Sequence, residues 1–318
     1  MQSRSFWLSR EGILGLTFTL LLIVPVTVLG GTKTVYVDKN ATGSEDGSSV
    51  NPYHSIGKAM ENVSGGTEVR VKNGTYKEHI TIPKNVDLVS DSENRDKVII
   101  KSDNDSKPTV IMKDDTALSH ITVKGGSHGV RIVENAKAHI FDAIIANNDR
   151  DGIHIDSAPL DKKNRVLIDK TLVKYNGRTG IYSEKRFIVL INSDIISNNS
   201  DGIDLALGTK AWLENNRIND NKGSGAKLVL DNASIFGKKN GFRNNKREGL
   251  EINSYRSKGT IELKKTASIG NNRYGIARVA RTAFGARLFG NLSFGVGING
   301  SRIENNALGN TSSVIRSY

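Results

Sequence analysis

From about residue 120 onward the chain repeats one short rhythm: a glycine, an apolar residue, any residue, then a second apolar residue. It recurs as Gly129-Val-Arg-Ile, Gly152-Ile-His-Ile, Gly180-Ile-Tyr-Ser, Gly202-Ile-Asp-Leu, Gly225-Ala-Lys-Leu, Gly249-Leu-Glu-Ile and Gly275-Ile-Ala-Arg. Successive glycines lie 23, 28, 22, 23, 24 and 26 residues apart. Seven positions before the glycine runs a second apolar column, Ile145, Val173, Ile195, Ile218, Phe242 and Leu288, interrupted by Ser268. Short apolar runs at 166–168, 187–191, 211–213 and 260–263 precede that column. Alternation with a period of two predicts strands, and their recurrence predicts stacked coils of about three strands each. In such a stack every coil covers the apolar face of the one beneath. A doubly wound α/β sheet needs a helix of ten or more residues between strands, and the coils leave no room for one.

Four positions before the glycine stands an asparagine in every coil after the first: Asn148, Asn176, Asn198, Asn221, Asn245, Asn271, and Asn291 before Gly295. Asparagine tolerates unusual backbone angles in turns, and stacked asparagines can hydrogen-bond from coil to coil. These residues are therefore structural. The alternation also sorts the positions after the glycine, with plus one and plus three facing inward and plus two and plus four facing outward.

The N-terminal part carries different signals. Thr34-Val-Tyr-Val-Asp38 is followed by Gly47-Ser-Ser-Val-Asn51-Pro-Tyr-His-Ser-Ile56, then by Gly65-Gly-Thr-Glu-Val-Arg-Val71 and Gly74-Thr-Tyr76-Lys-Glu-His-Ile80. Asn51-Pro52 predicts the start of a short helix, which would close the open bottom of the stack. This opening and the Gly and Asn repeats, over about residues 33–300, resemble secreted proteins of the pectate-lyase-like superfamily. The resemblance implies a right-handed parallel β-helix. It leaves the activity open, because that superfamily holds lyases, hydrolases, epimerases, adhesins and non-catalytic binders. The expected organisation is an export segment at 1–31, a cap and first coils at 32–90, repeats at 91–300 and a tail at 301–318.

Residues 12–29 carry no charge and follow Arg4 and Arg10. They read as an apolar helix, either a signal cleaved near Gly31 or, uncleaved, a membrane anchor with the folded part outside the cytoplasm. There is no cysteine, so neither disulfides nor thiolate metal sites hold the fold. The net charge is +12, and residues 222–287 hold 15 Lys and Arg against 4 Asp and Glu. A basic region of this kind attracts polyanions. Lys227, Lys238, Lys239, Arg243, Lys246 and Arg247 are its candidate binding residues, with acidic polysaccharide or a cell-surface glycan as the expected partner. Nucleic acid is not expected, since no motif of that class occurs.

Candidate chemistry lies on the outward columns. Plus two reads Arg131, His154, Tyr182, Asp204, Lys227, Glu251 and Ala277, and plus four reads Val133, Asp156, Glu184, Ala206, Val229, Asn253 and Val279. Arg131, His154, Asp156, Tyr182 and Asp204 are the candidate catalytic set, with Glu184 beside them. Paired carboxylates suit glycoside hydrolysis. Lyase or epimerase chemistry needs a proton acceptor, His154 or Tyr182, and a cation facing a uronate carboxylate, Arg131 or a calcium ion held by Asp156 and Asp204. Asn199-Ser-Asp201-Gly is similar to the Asn-Thr-Asp-Gly element of polygalacturonase-type hydrolases. The other elements of that family do not follow in order, so its mechanism is not carried over. The features favour a non-catalytic glycan-binding surface protein. The alternatives are a polysaccharide lyase, hydrolase or epimerase working on the outward strip, and a purely structural or assembly protein.

Overall fold

The computed structural model describes residues 33–102, 104–232, 234–253, 259–278, 294–297, 300–312 and 315–317. The apolar run at 12–29 lies outside them. No helix of the described residues is long and apolar enough to cross a membrane.

The strands wind into a parallel β-helix with three walls. Among the described residues the first sheet has twelve strands, from Lys33–Val37 to Ile315–Ser317, and the second and third have ten each. Every pairing between strands is parallel. Three strands, such as Ala138–Phe141, Ile144–Ala146 and Ile153–Ile155, make one coil. Equivalent residues of successive coils stand directly above one another. Val69, Leu88, Leu118, Ile140, Ile168, Leu190 and Leu213 form one such aliphatic column in the first sheet. All are nearly or fully buried. Coils about 4.8 Å apart put each of these side chains in contact with its equivalents above and below.

The asparagines form the expected ladder. Each side-chain amide donates to the Oδ1 of the next, from Asn148 to Asn176 at 2.8 Å and from Asn176 to Asn198 at 2.9 Å, continuing through Asn221 and Asn245 to Asn271. The left-handed backbone angles fall on the residue before each ladder asparagine, among them Asn147, Tyr175, Ser197, Asp220 and Asn244. The asparagines themselves satisfy buried backbone groups at the bend. Steric contact explains the repeated glycine. A Cβ on Gly152 would lie 2.6 Å from Val173 Cγ1 and 2.7 Å from both Asn176 Nδ2 and the Gly180 carbonyl. A second ladder lines the turn between the first and second sheets, where Asn216 donates to Asn240 at 2.9 Å and the equivalent place is taken by Thr171 and Ser193 below.

The structure corrects two expectations at the ends. The helix runs Ile56–Asn62 and not from Asn51-Pro52. Ser55 caps it by accepting from the Lys58 amide, and the Glu78 carboxylate accepts from the Ile56 and Gly57 amides at 3.0 and 2.7 Å. Its buried residues Ile56, Ala59 and Met60 face the bottom of the stack, against Ile80–Ile82 and Lys33–Val37. At the other end the asparagine above Asn271 is Asn306, at 2.8 Å, and the residue paired with Ser268 is Ile303. Asn291 and Leu288 lie outside the described residues. The glycine count misread this coil because Asn310 stands where a glycine was sought, its carbonyl 2.8 Å from a Cβ placed on Gly275.

Candidate active strip on the third sheet

The predicted plus-two column exists as drawn. Arg131, His154, Tyr182, Asp204, Lys227, Glu251 and Ala277 pair in register on the outer face of the third sheet. Beside it runs a column of which the sequence reading named only Asp201, the residue just before each of the first six coil glycines: His128, Asp151, Thr179, Asp201, Ser224 and Glu248. Six polar residues in a row at the head of an apolar motif were the signal for it.

In the lower half of the strip these two columns meet. Asp151 is 3% exposed, and its Oδ2 lies 3.0 Å from His154 Nδ1 and 3.4 Å from His128 Nδ1. Burial alone would raise its pKa, but the imidazoles of His128 and His154 beside it outweigh that and hold the carboxyl well below the usual range. His154 Nε2 is 3.5 Å from Asp156 Oδ1. Arg131 grips Asp156 through Nε at 3.1 Å and Nη2 at 2.9 Å. The imidazole of His154 stacks on Tyr182, with ring centroids 5.0 Å apart, and the Tyr182 hydroxyl donates to Glu184. Burial and that carboxylate keep the phenol protonated far above its ordinary range. His154, Asp156, Glu184, Glu134 and Ser157 line a cleft of about 280 Å³. Ser157, in the longest stretch between coil glycines, from Gly152 to Gly180, supplies one wall.

The upper half is closed. Asp204 and Glu251 are buried, at 7% and 0% exposure, and Lys227 Nζ bonds Asp204 Oδ2 at 2.5 Å. Ser224 Oγ lies 3.1 Å from Glu251 and 3.3 Å from Glu248. Arg273 Nε reaches Glu248 at 3.1 Å. Asp201, singled out for its Asn-x-Asp-Gly context, is buried and accepts the Ser224 amide at 2.7 Å. Burial raises its pKa, and nearby Asp204 and Glu251 add to the rise.

Asp156 and Asp204 do not form a calcium site. They stand two coils apart, roughly 10 Å of rise, with Tyr182 between them. Each already has its own cation, Arg131 or Lys227. The predicted basic residues are not gathered on one face either. Lys227 is on the third sheet, Lys238 on the first with its Nζ 3.0 Å from Glu214, and Arg243 on the second. Exposed Lys239 lies in the turn after the first sheet, while Lys246 and Arg247 lie between the second and third, Arg247 being 3.9 Å from Glu248. Trp212 is half-buried outside the first sheet, stacked on Phe236 at 4.2 Å and bonded to Glu214 at 3.0 Å.

Three solved structures share the architecture. A pectate lyase superposes with a TM-score of 0.55 at 15% identity, covering 89% of this chain and 79% of its own. The A-module of a mannuronan C-5 epimerase from Azotobacter vinelandii gives 0.53 at 16%, covering 79% and 71%. The polygalacturonase from Erwinia carotovora ssp. carotovora gives 0.55 at 10%, covering 91% and 96%. At these identities the likeness concerns the fold. No curated protein matches the sequence. The family model for the right handed beta helix region matches residues 108–272 and 160–315, more than half of the chain. Three-walled parallel coils, stacked asparagine ladders and this match together make the chain a member of the right-handed β-helix family.

Proposed function

We propose that the protein acts on an acidic polysaccharide along the outer face of the third sheet, and that the lower half of the strip is a lyase or epimerase centre. The observation that carries this reading is the hydroxyl of Tyr182, bonded to Glu184 and stacked against His154, beside an open cleft. In a uronate the proton on C5 is acidified by the neighbouring carboxylate. Tyr182 Oη takes that proton as its own passes to Glu184, so the C5–H bond breaks and the electron pair is held by the uronate carboxyl group. Cleavage of the C4–O4 bond, with the proton on Glu184 returning through Tyr182 to the departing oxygen, then gives an unsaturated end, and return of a proton from solvent to the other face of C5 instead gives the epimer. Arg131, its side chain 47% exposed one coil below His154, faces the substrate carboxylate. The folds that resemble this one include enzymes named for pectate and mannuronan, which makes polyuronates the first substrates to test. An extracytoplasmic location is part of the same proposal and rests on the apolar run at 12–29.

A second reading, binding without turnover, is favoured by one observation: Arg131 and Lys227 are already paired with Asp156 and Asp204, which weakens their neutralisation of a uronate carboxylate during proton removal. The test is a panel of polyuronates and neutral glycans, followed by absorbance of unsaturated ends and by uronate composition. Either product, lost in Tyr182→Phe, supports the enzyme. Salt-sensitive binding of acidic glycan with no product supports the second reading, and no interaction with any glycan contradicts both.

A further inference from the structure

We propose that His128, Asp151 and His154 form a binding site for a divalent transition metal of the zinc type. The ion would be held by Nδ1 of both imidazoles and Oδ2 of the carboxylate, and its role in the reaction above rests on that reading of the strip. The three ligand atoms lie within 4.8 Å of one another. Asp151 Oδ2 is 3.0 Å from His154 Nδ1 and 3.4 Å from His128 Nδ1. Ligand atoms bound tetrahedrally to zinc stand about 3.4 Å apart, given metal–ligand distances of about 2.0–2.1 Å. Two imidazoles with one carboxylate suit zinc and its neighbours, and not calcium or magnesium, which prefer oxygen alone.

Two further observations point to a ligand. His128 Nδ1 is shut off from solvent and has no hydrogen-bond partner, although it sits over the carboxylate. Two of the three ligands, His154 and Asp151, are also oriented from behind, as metal ligands usually are. His154 Nε2 stands 3.5 Å from Asp156 Oδ1, Asp156 is gripped by Arg131, and Asp151 Oδ1 accepts the Thr179 amide at 3.3 Å. His154 is a quarter exposed and borders the cleft, so an ion there keeps an open position beside Tyr182. Such an ion supplies the positive charge for a substrate carboxylate that Arg131, tied to Asp156, supplies only in part.

The test is titration of the chelator-treated full chain with Zn²⁺, and with Co²⁺ read by its visible spectrum, in the absence of glycan. One equivalent is expected to bind, with the intense bands of a four-coordinate site. Asp151→Asn and His128→Asn are expected to weaken binding by at least about 10–100-fold. His139→Ala, which removes a first-sheet histidine, is expected to leave it unchanged. In the unmutated protein, ¹⁵N shifts of the His128 and His154 Nδ1 atoms should move with Zn²⁺ while those of His139 stay, a readout independent of whether the variants fold. No uptake, or uptake indifferent to both variants and to these shifts, overturns the site even if polyuronate is turned over. Uptake with the expected signature upholds it even if none is.

Discussion

The two halves of the third-sheet strip are built from the same columns and do opposite things with them. Below, His154, Asp156 and Glu184 line a cleft, with buried Asp151 bonded to His154 behind them and Tyr182 bonded to Glu184. Above, Asp204, Glu248 and Glu251 are buried, with Lys227 and Arg273 closing on Asp204 and Glu248. An ion pair taken out of water is costly to break, and its groups are committed to one another. Titratable groups that keep one side in water can exchange protons with a ligand. The difference teaches that a polar column on a solenoid becomes a candidate site through its access to solvent, and the kinds of residues in it do not decide the matter.

The sharpest way to break this comparison is Tyr182→Phe. It removes one hydroxyl from the lower half and is expected to lower turnover of a responsive polyuronate by about 10²–10⁴-fold, the range of acid–base catalysis. The unfolding midpoint should stay close to that of the parent. Glu248→Ala tests the upper half. It is expected to destabilise by about 2–4 kcal/mol, because removing the buried carboxylate takes away the partner of Arg273 and one of the two carboxylates beside Ser224. Turnover per folded molecule should not change, and denaturant melts read beside rates separate the two effects.

Asp87 offers an outside reference, a carboxylate in the first sheet that accepts the Ala117 amide at 2.9 Å. Burial pushes its pKa up to about 6, the Ala117 amide pulls it down and Glu68 pushes it up again. A carboxyl raised in the folded state favours folding while protonated. Its contribution is fully present below the unfolded value near 4 and is lost as pH rises toward about 6. Asp87→Asn is therefore expected to stabilise at pH 7 by about 1–2 kcal/mol, after discounting for its partial exposure, and to gain nothing at pH 3.5. The smallest effect belongs to Arg131→Ala. Breaking its half-exposed pair with Asp156 should cost less than about 1 kcal/mol of stability, while the affinity for acidic glycan falls and becomes less sensitive to salt.

Much of this was legible in the sequence because a solenoid writes its geometry as a period. The glycine spacing gave the coil, the alternation gave the outward column from Arg131 to Glu251, and the asparagine period gave the ladder. The second ladder was hidden because Thr171, Ser193 and Asn216 fill one role with three residue types. Asp151 was missed because it precedes the glycine, where a turn residue is expected, and His128 and His154 read as lacking metal-ligand spacing because a whole turn of coil separates them in sequence. Asp151 is in fact buried between two histidines. The basic third misled for a topological reason. Residues close in sequence pass around all three walls within one coil, so charge clustered along the chain is spread around the circumference, as Lys227, Lys238 and Arg243 illustrate.

The most direct test of the central claim is solvent deuterium exchange at C5 of a polyuronate incubated with the protein in D₂O and read by NMR, since both elimination and epimerisation pass through removal of that proton. The account predicts deuterium at C5 or an unsaturated end, both absent with Tyr182→Phe and both retained with Glu248→Ala after correction for the folded fraction. A polyuronate that binds to the strip yet keeps every C5 proton would contradict it.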